Sequence, residues 1–118
     1  MNKQIVFYET ISGNRPVERF LLKLSKPQRA EVFAVFDKVQ KDSSLPAKLF
    51  CKMVNTDDLW EVRVKAQGDI FRFLCFFDGG QLIVAAHGFQ KKTQKTPKQD
   101  IDTATKRKRD YFKRKGQR

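Results

Sequence analysis

Two arginines, Arg63 and Arg72, interrupt apolar runs, LWEVRVK and IFRFLCFF, that read as neighbouring β-strands joined by AQGD. A guanidinium is planar and offers paired donors. Two that converge could grip a phosphate and stabilise the extra negative charge of its transition state. The chain has a single histidine, His87, in the next strand-like run, QLIVAAHGF, and an imidazole titrating near neutral pH could move a proton. Glu61 precedes Arg63 by two residues and so shares its strand face, where it either acts as a base or neutralises an arginine.

Pairing across a tight antiparallel hairpin keeps a fixed register, so the positions of these residues can be related by index alone. With AQGD as the loop, Lys65 faces Ile70 and Arg63 faces Arg72. With Gly79-Gly80 as a two-residue loop, Asp78 faces Gln81 and Arg72 faces His87, aligning Arg63, Arg72 and His87 across three strands. The same registers stack Trp60 with Cys75 and Val84, Val62 with Phe73 and Ala86, and Val64 with Phe71, an apolar face for the core. The arginine face is then expected to point away from the core. Like charges directly opposed weaken a sheet, which argues for a ligand site there. The plainer alternatives are two surface arginines with their stems lying along the strands, and a strand-end histidine with a backbone partner.

Further elements are needed to hold this face. QIVFY (4–8) reads as a first strand; ISGN turns, and Asn14 or Arg15 caps a short helix with Pro16 in its first turn and Val17, Phe20, Leu21 and Leu24 on one face. Ser25, with Gln28 three residues on, opens a second helix whose stripe is Val32, Phe33, Phe36 and Val39, ending near Lys41 before DSSLP. The pair is expected to form a helical hairpin. LFCKMV reads as another strand, followed by the NTDD turn and the three strands already described, an antiparallel meander. Thr96 as N-cap, Pro97 and Gln99 launch a last helix to about Arg114, with Ile101, Ala104, Tyr111 and Phe112 as a thin apolar stripe. The fold class expected is α+β: an N-terminal strand, a helical hairpin, a twisted antiparallel sheet of four to five strands and a C-terminal basic helix.

With 118 residues, 40% of them hydrophobic, residues 1–118 fit one domain with one modest core. No run approaches the roughly 20 apolar residues of a membrane span, and the N-terminal apolar stretch is too short for a secretory signal, so a soluble cytoplasmic protein with no membrane partner is expected. Cys51 and Cys75 lie in strand-like runs without a CxxC pair and read as buried reduced thiols, with no metal site signalled. The net charge of +12 points to a polyanion, nucleic acid ahead of an acidic protein. Residues 89–118 hold 12 Lys or Arg against 3 Asp, so the contact should involve the C-terminal quarter, though a solvated helix face is the bland reading of KRKRDYFKRK.

At LWEVRV, IFRFLCFFDGG and above all HGFQKKTQKTP followed by a basic helix, the chain resembles the RelE/ParE superfamily of type II toxins, in its HigB-like, phage-derived branch. The resemblance covers nearly the whole chain. It implies a small RelE-like fold and a ribosome-dependent endoribonuclease that cleaves mRNA in the A site. Growth then stops until a cognate antitoxin, a helix-turn-helix HigA-like protein, neutralises the toxin. It also implies metal-independent chemistry, the ribose 2′-hydroxyl attacking the adjacent phosphate, with no cofactor.

Matched by position, Arg63 and Arg72 correspond to the family's basic strand residues, and Lys91 or Lys92 to a basic residue after the last strand. Arg63 and Arg72 are thereby assigned to phosphate binding and His87 or Glu61 to proton transfer. Lys91 is a further catalytic candidate, and Lys65, Lys92, Lys95, Lys98 and Arg107 are RNA contacts. Better-studied members carry a tyrosine or histidine where this chain has Thr96-Pro97, so the proton donor to the leaving 5′-oxygen stays open. The competing reading is a non-catalytic basic module that binds ribosomal RNA or DNA.

Overall fold

The computed structural model describes residues 2–42, 44–92 and 95–116. Ser43 of DSSLP, and Thr93 and Gln94 of HGFQKKTQKTP, lie outside the described residues. The elements are β1 (Gln4–Phe7), α1 (Pro16–Leu22), α2 (Lys26–Lys41), β2 (Phe50–Lys52), β3 (Trp60–Ala66), β4 (Asp69–Asp78), β5 (Leu82–Gln90) and α3 (Lys98–Gly116). This is the expected α+β order. The five strands form one sheet in the order β1-β5-β4-β3-β2. β2 to β5 are antiparallel as expected, but β1 pairs with β5 in parallel, so the sheet is mixed.

The helices form where their caps and stripes place them. Ser25 closes a full capping box with Gln28 at the head of α2. At α1 the cap is Arg15, without a side-chain bond. α2 buries Val32, Val35, Phe36 and Val39, whereas Phe33, expected in that stripe, is 48% exposed. α1 packs on β5 and α2 on β3 rather than chiefly on each other, so the expected helical hairpin is two helices sharing one sheet face. Beneath them lies the first core, in which Phe36 meets Phe73 edge-on at 5.1 Å between ring centroids.

The opposite face, expected to be free of core, carries a second cluster under α3. Leu59, Leu74, Phe76, Val84, Ala86 and Ala104 are fully buried there. A thin apolar stripe suffices on the helix side because α3 is also tied down by polar bonds at its C-terminal half. Tyr8 donates to Asp110 and Tyr111 to Asp78, Lys115 pairs with Asp78, and Arg114, paired with Asp110 within the helix, donates to the Glu9 carbonyl. Burial and its bond to Asp110 raise the Tyr8 pKa, and the Lys115 ammonium with the Tyr111 hydroxyl lowers that of Asp78.

The hairpin registers decide which residues meet. β3 and β4 close on Gln67-Gly68, both with positive φ (55° and 82°), the geometry of a type I′ two-residue turn. Ala66 pairs with Asp69, Lys65 with Ile70 and Arg63 with Arg72, the expected register on a shorter loop. Between β4 and β5, Asp78 pairs with Leu82, so the loop is three residues, Gly79, Gly80 and Gln81, and not two. A one-residue slip exchanges faces. Cys75 therefore pairs with Ala85, and Val84 and Ala86 lie under α3 instead of under α2. A bulge at Ala86 then shifts the register once more, so that Leu74 faces His87, Phe73 faces Gly88 and Arg72 faces Phe89.

Candidate functional site

The double shift returns His87 to the arginine face but moves it off Arg72. Two rows cross this face: Glu61 faces Leu74, which faces His87, and Arg63 faces Arg72, which faces Phe89. The expected line of Arg63, Arg72 and His87 is thus corrected by the longer loop and the bulge. His87 stacks on Phe89 at 5.6 Å and is gripped by α3: Nε2 lies 2.6 Å from Asp100 Oδ1, and Arg107 Nη1 lies 3.3 Å from Nδ1. A guanidinium can only donate, so Nδ1 is the acceptor and the ring proton sits on Nε2, donated to Asp100. Arg107 also donates to the Ala86 carbonyl at 2.9 Å, turning it inward onto the bulge and away from the outer face expected of an RNA contact. Burial lowers its pKa.

Arg63 and Arg72 oppose each other because a carboxylate lies between them. Glu61, 1% exposed, accepts from Arg63 Nε at 2.5 Å through Oε1 and from Arg72 Nη1 at 3.0 Å through Oε2. Its bond raises the Arg63 pKa. Thr96 completes the group, accepting from Arg72 Nη1 at 3.1 Å and donating to Glu61 Oε2 at 3.2 Å. The Thr96 hydroxyl, expected to cap α3, is used here, and the Pro97 carbonyl receives the Asp100 and Ile101 amides at the helix start. Arg72 is 7% exposed, and its Nε has no partner among the described residues.

The arginine pair stands between two clefts. One, of about 410 Å³, is lined by Cys51, Glu61, Arg63, Arg72, Lys95 and Thr96, with Ile101 of α3 and the chain from Lys52 to Val54. Cys51 is therefore partly exposed there, not buried as expected, whereas Cys75 is fully buried and its thiol is pushed up to about 12. The other cleft, of about 360 Å³, brings together Lys48, Arg63, Lys65, Arg72 and Lys91 around Leu49, Val64 and Ile70, with no carboxylate in its wall. Two of these five cations, Arg63 and Arg72, are paired with Glu61, and the three lysines add positive charge that favours an anion here. Lys65, Lys92, Lys95 and Lys98 are exposed, and so are Lys106, Arg109 and Lys113 on α3.

The structure thus brings Glu61, Arg63, Arg72, Lys65 and Lys91 together and holds His87 apart. Sequence reasoning noted Thr96 only as a helix cap and as the residue at the position where relatives carry a tyrosine or histidine, not as a partner of Glu61 and Arg72, and it missed Lys48. Thr96 carried a capping signal, which competed with its role at the site, and Lys48 sits in a connection whose path no pattern fixes. Among the described residues, no three His, Cys, Asp or Glu side chains are placed to share a metal ion. No described helix is long and apolar enough to cross a membrane.

Comparison with known proteins places the chain in a family. Residues 19–109 match the family described as phage-derived protein Gp49-like (DUF891), a span from α1 into α3 that includes every residue of the two clefts. No curated protein matches the chain closely enough to add to this. The chain therefore belongs to the phage-derived Gp49-like family, the HigB-like branch of the RelE/ParE toxins.

Proposed function

We propose that the protein is the toxin of a type II toxin–antitoxin pair, a cytoplasmic endoribonuclease that cleaves mRNA on the ribosome. The observation that carries this reading is the opposed pair Arg63 and Arg72, held by a buried carboxylate at the junction of two clefts, one of them lined by five cations and three apolar residues with no carboxylate. A scissile phosphate seated against the pair has its charge stabilised by both guanidiniums as the 2′-hydroxyl attacks phosphorus. The 2′-oxygen-to-phosphorus bond forms, the bond to the 5′-oxygen breaks, and a 2′,3′-cyclic phosphate remains. The proton of the 2′-hydroxyl passes to a base, and the departing 5′-oxygen takes one from an acid. Of the ionisable groups that line the two clefts, we assign these roles to Glu61 in one and Lys91 in the other; His87 is engaged by Asp100 and Arg107.

Lys65, Lys92, Lys95 and Lys98, with Lys106, Arg109 and Lys113 outward on α3, supply the sequence-independent attraction to RNA phosphates. Membership of a toxin family implies an antitoxin partner; a helix-turn-helix HigA-like protein is the kind proposed. The second reading, a basic module that binds ribosomal RNA without cutting, rests on these exposed cations.

The test is cleavage of a reporter mRNA by purified ribosomes, mapped by primer extension. Wild-type protein should cut. Arg72→Lys, which keeps the charge but loses the planar fork, should cut ~100-fold more slowly and still sediment with ribosomes. No cutting by wild type with ribosomes present would remove the nuclease reading. Parallel loss of cleavage and binding, with a shallower salt dependence, would favour the binding module.

A further inference from the structure

The Thr96 hydroxyl, at the entrance to α3, closes a three-membered ring with Glu61 Oε2 and Arg72 Nη1, all three separations lying between 3.0 and 3.2 Å. We infer that Thr96 is a positioning residue of the arginine site, fixing which edge of the Arg72 guanidinium is presented to the phosphate. This rests on the ribonuclease reading and deepens it.

The guanidinium of Arg72 has five N–H groups to place. Nη1 is committed to Glu61 and to Thr96, and Nε has no partner among the described residues although it is buried. A buried donor without an acceptor is costly, and here the side chain lies in the wall of both clefts. With Nη1 held, the edge left for two parallel bonds is the one carrying Nε and Nη2. A phosphate taken along that edge would satisfy the orphaned donor once its seating uncovers Nε, which is shut off from solvent here. Glu61 alone cannot set this geometry, because a single bond from Nη1 to Oε2 leaves the guanidinium able to pivot about it. The second contact, from Thr96, removes that freedom.

Thr96 also explains how a helix that contributes only Ala104 as a fully buried residue can bear on the chemistry. Its hydroxyl joins the segment leading into α3 to the centre of the sheet. Seating of α3 and orientation of Arg72 then become one event. The methyl group of Thr96 takes no part in this, so serine should substitute and valine, of equal shape, should not.

The experiment compares Thr96→Ser, Thr96→Val and wild type for ribosome-dependent cleavage, with KM and kcat measured separately and thermal unfolding run alongside. Thr96→Val should lose ~10- to 100-fold in kcat with KM within about twofold, because the exposed lysines that hold RNA are unchanged. Thr96→Ser should keep kcat within about threefold, and the two variants should unfold within a few degrees of each other. Valine as active as wild type would overturn the inference. So would equal loss in serine and valine, which would assign the residue a packing role. If Arg72→Lys cuts as fast as wild type, the ribonuclease reading of the arginine site falls instead, whatever Thr96 does.

Discussion

Replacing Glu61 tests whether the arginine pair depends on a buried counter-charge. The carboxylate is 1% exposed and bonds both arginines, which face each other across β3 and β4. Its bond to Arg72 is buried and charge-assisted, a kind that contributes ~1.5–3 kcal/mol. Its bond to Arg63 is discounted for solvent, since that side chain is 39% exposed, to about 0.5–1 kcal/mol. Together these give about 3 kcal/mol for Glu61→Ala, at the lower end of the ~3–5 kcal/mol expected when one partner of a buried pair is removed. Glu61→Gln retains an acceptor but not the charge and should cost roughly half as much. Urea unfolding followed through Trp60, half-buried against Phe50, reports both values. Because the freed arginines gain an anion site, sulfate should recover more stability in Glu61→Gln than in wild type. If Glu61→Ala unfolds within about 0.5 kcal/mol of wild type, the carboxylate is a surface group and the account of the pair is wrong.

Two further outcomes follow from packing and titration. A Cβ at Gly88 would stand 2.8 Å from Phe73 Cε1 and 3.0 Å from Phe20 Cδ2, so Gly88→Ala should lower Tm by roughly 5–10 °C; an unchanged Tm would mean that β5 does not approach these rings. Asp78 and Asp110 both have lowered pKa values, chiefly through bonds from Lys115 and from Tyr8, so the stability they lend α3 is complete above the unfolded value of about 4. It is lost as pH falls through their lower folded values, and amide exchange in the C-terminal half of α3 should quicken below about pH 4 and less so in Asp78→Asn.

Much of the fold was legible because it rests on local chemistry. The capping box at Ser25, the period of α2, and the pairing of Arg63 with Arg72 each follow from residues near one another in the chain. The arginine pairing survived a wrong loop length because closing AQGD by one more pair leaves the register unchanged. The next hairpin had no such protection. Its glycines permit either a two- or a three-residue loop, and nothing in LIVAAHGF marks a bulge, so two single-residue shifts moved His87 from Arg72 to Leu74.

The sequence by itself determined the strands, the helices, the excess of positive charge and the opposed arginines of the proposed site. Tertiary structure decided what those charges contact. Only when α3 lies across the sheet does Thr96 reach Glu61 and Arg72, and only then do Asp100 and Arg107 engage His87. These contacts join residues 13 to 35 positions apart, and their geometry depends on sheet register and helix seating together, neither of which a local pattern encodes.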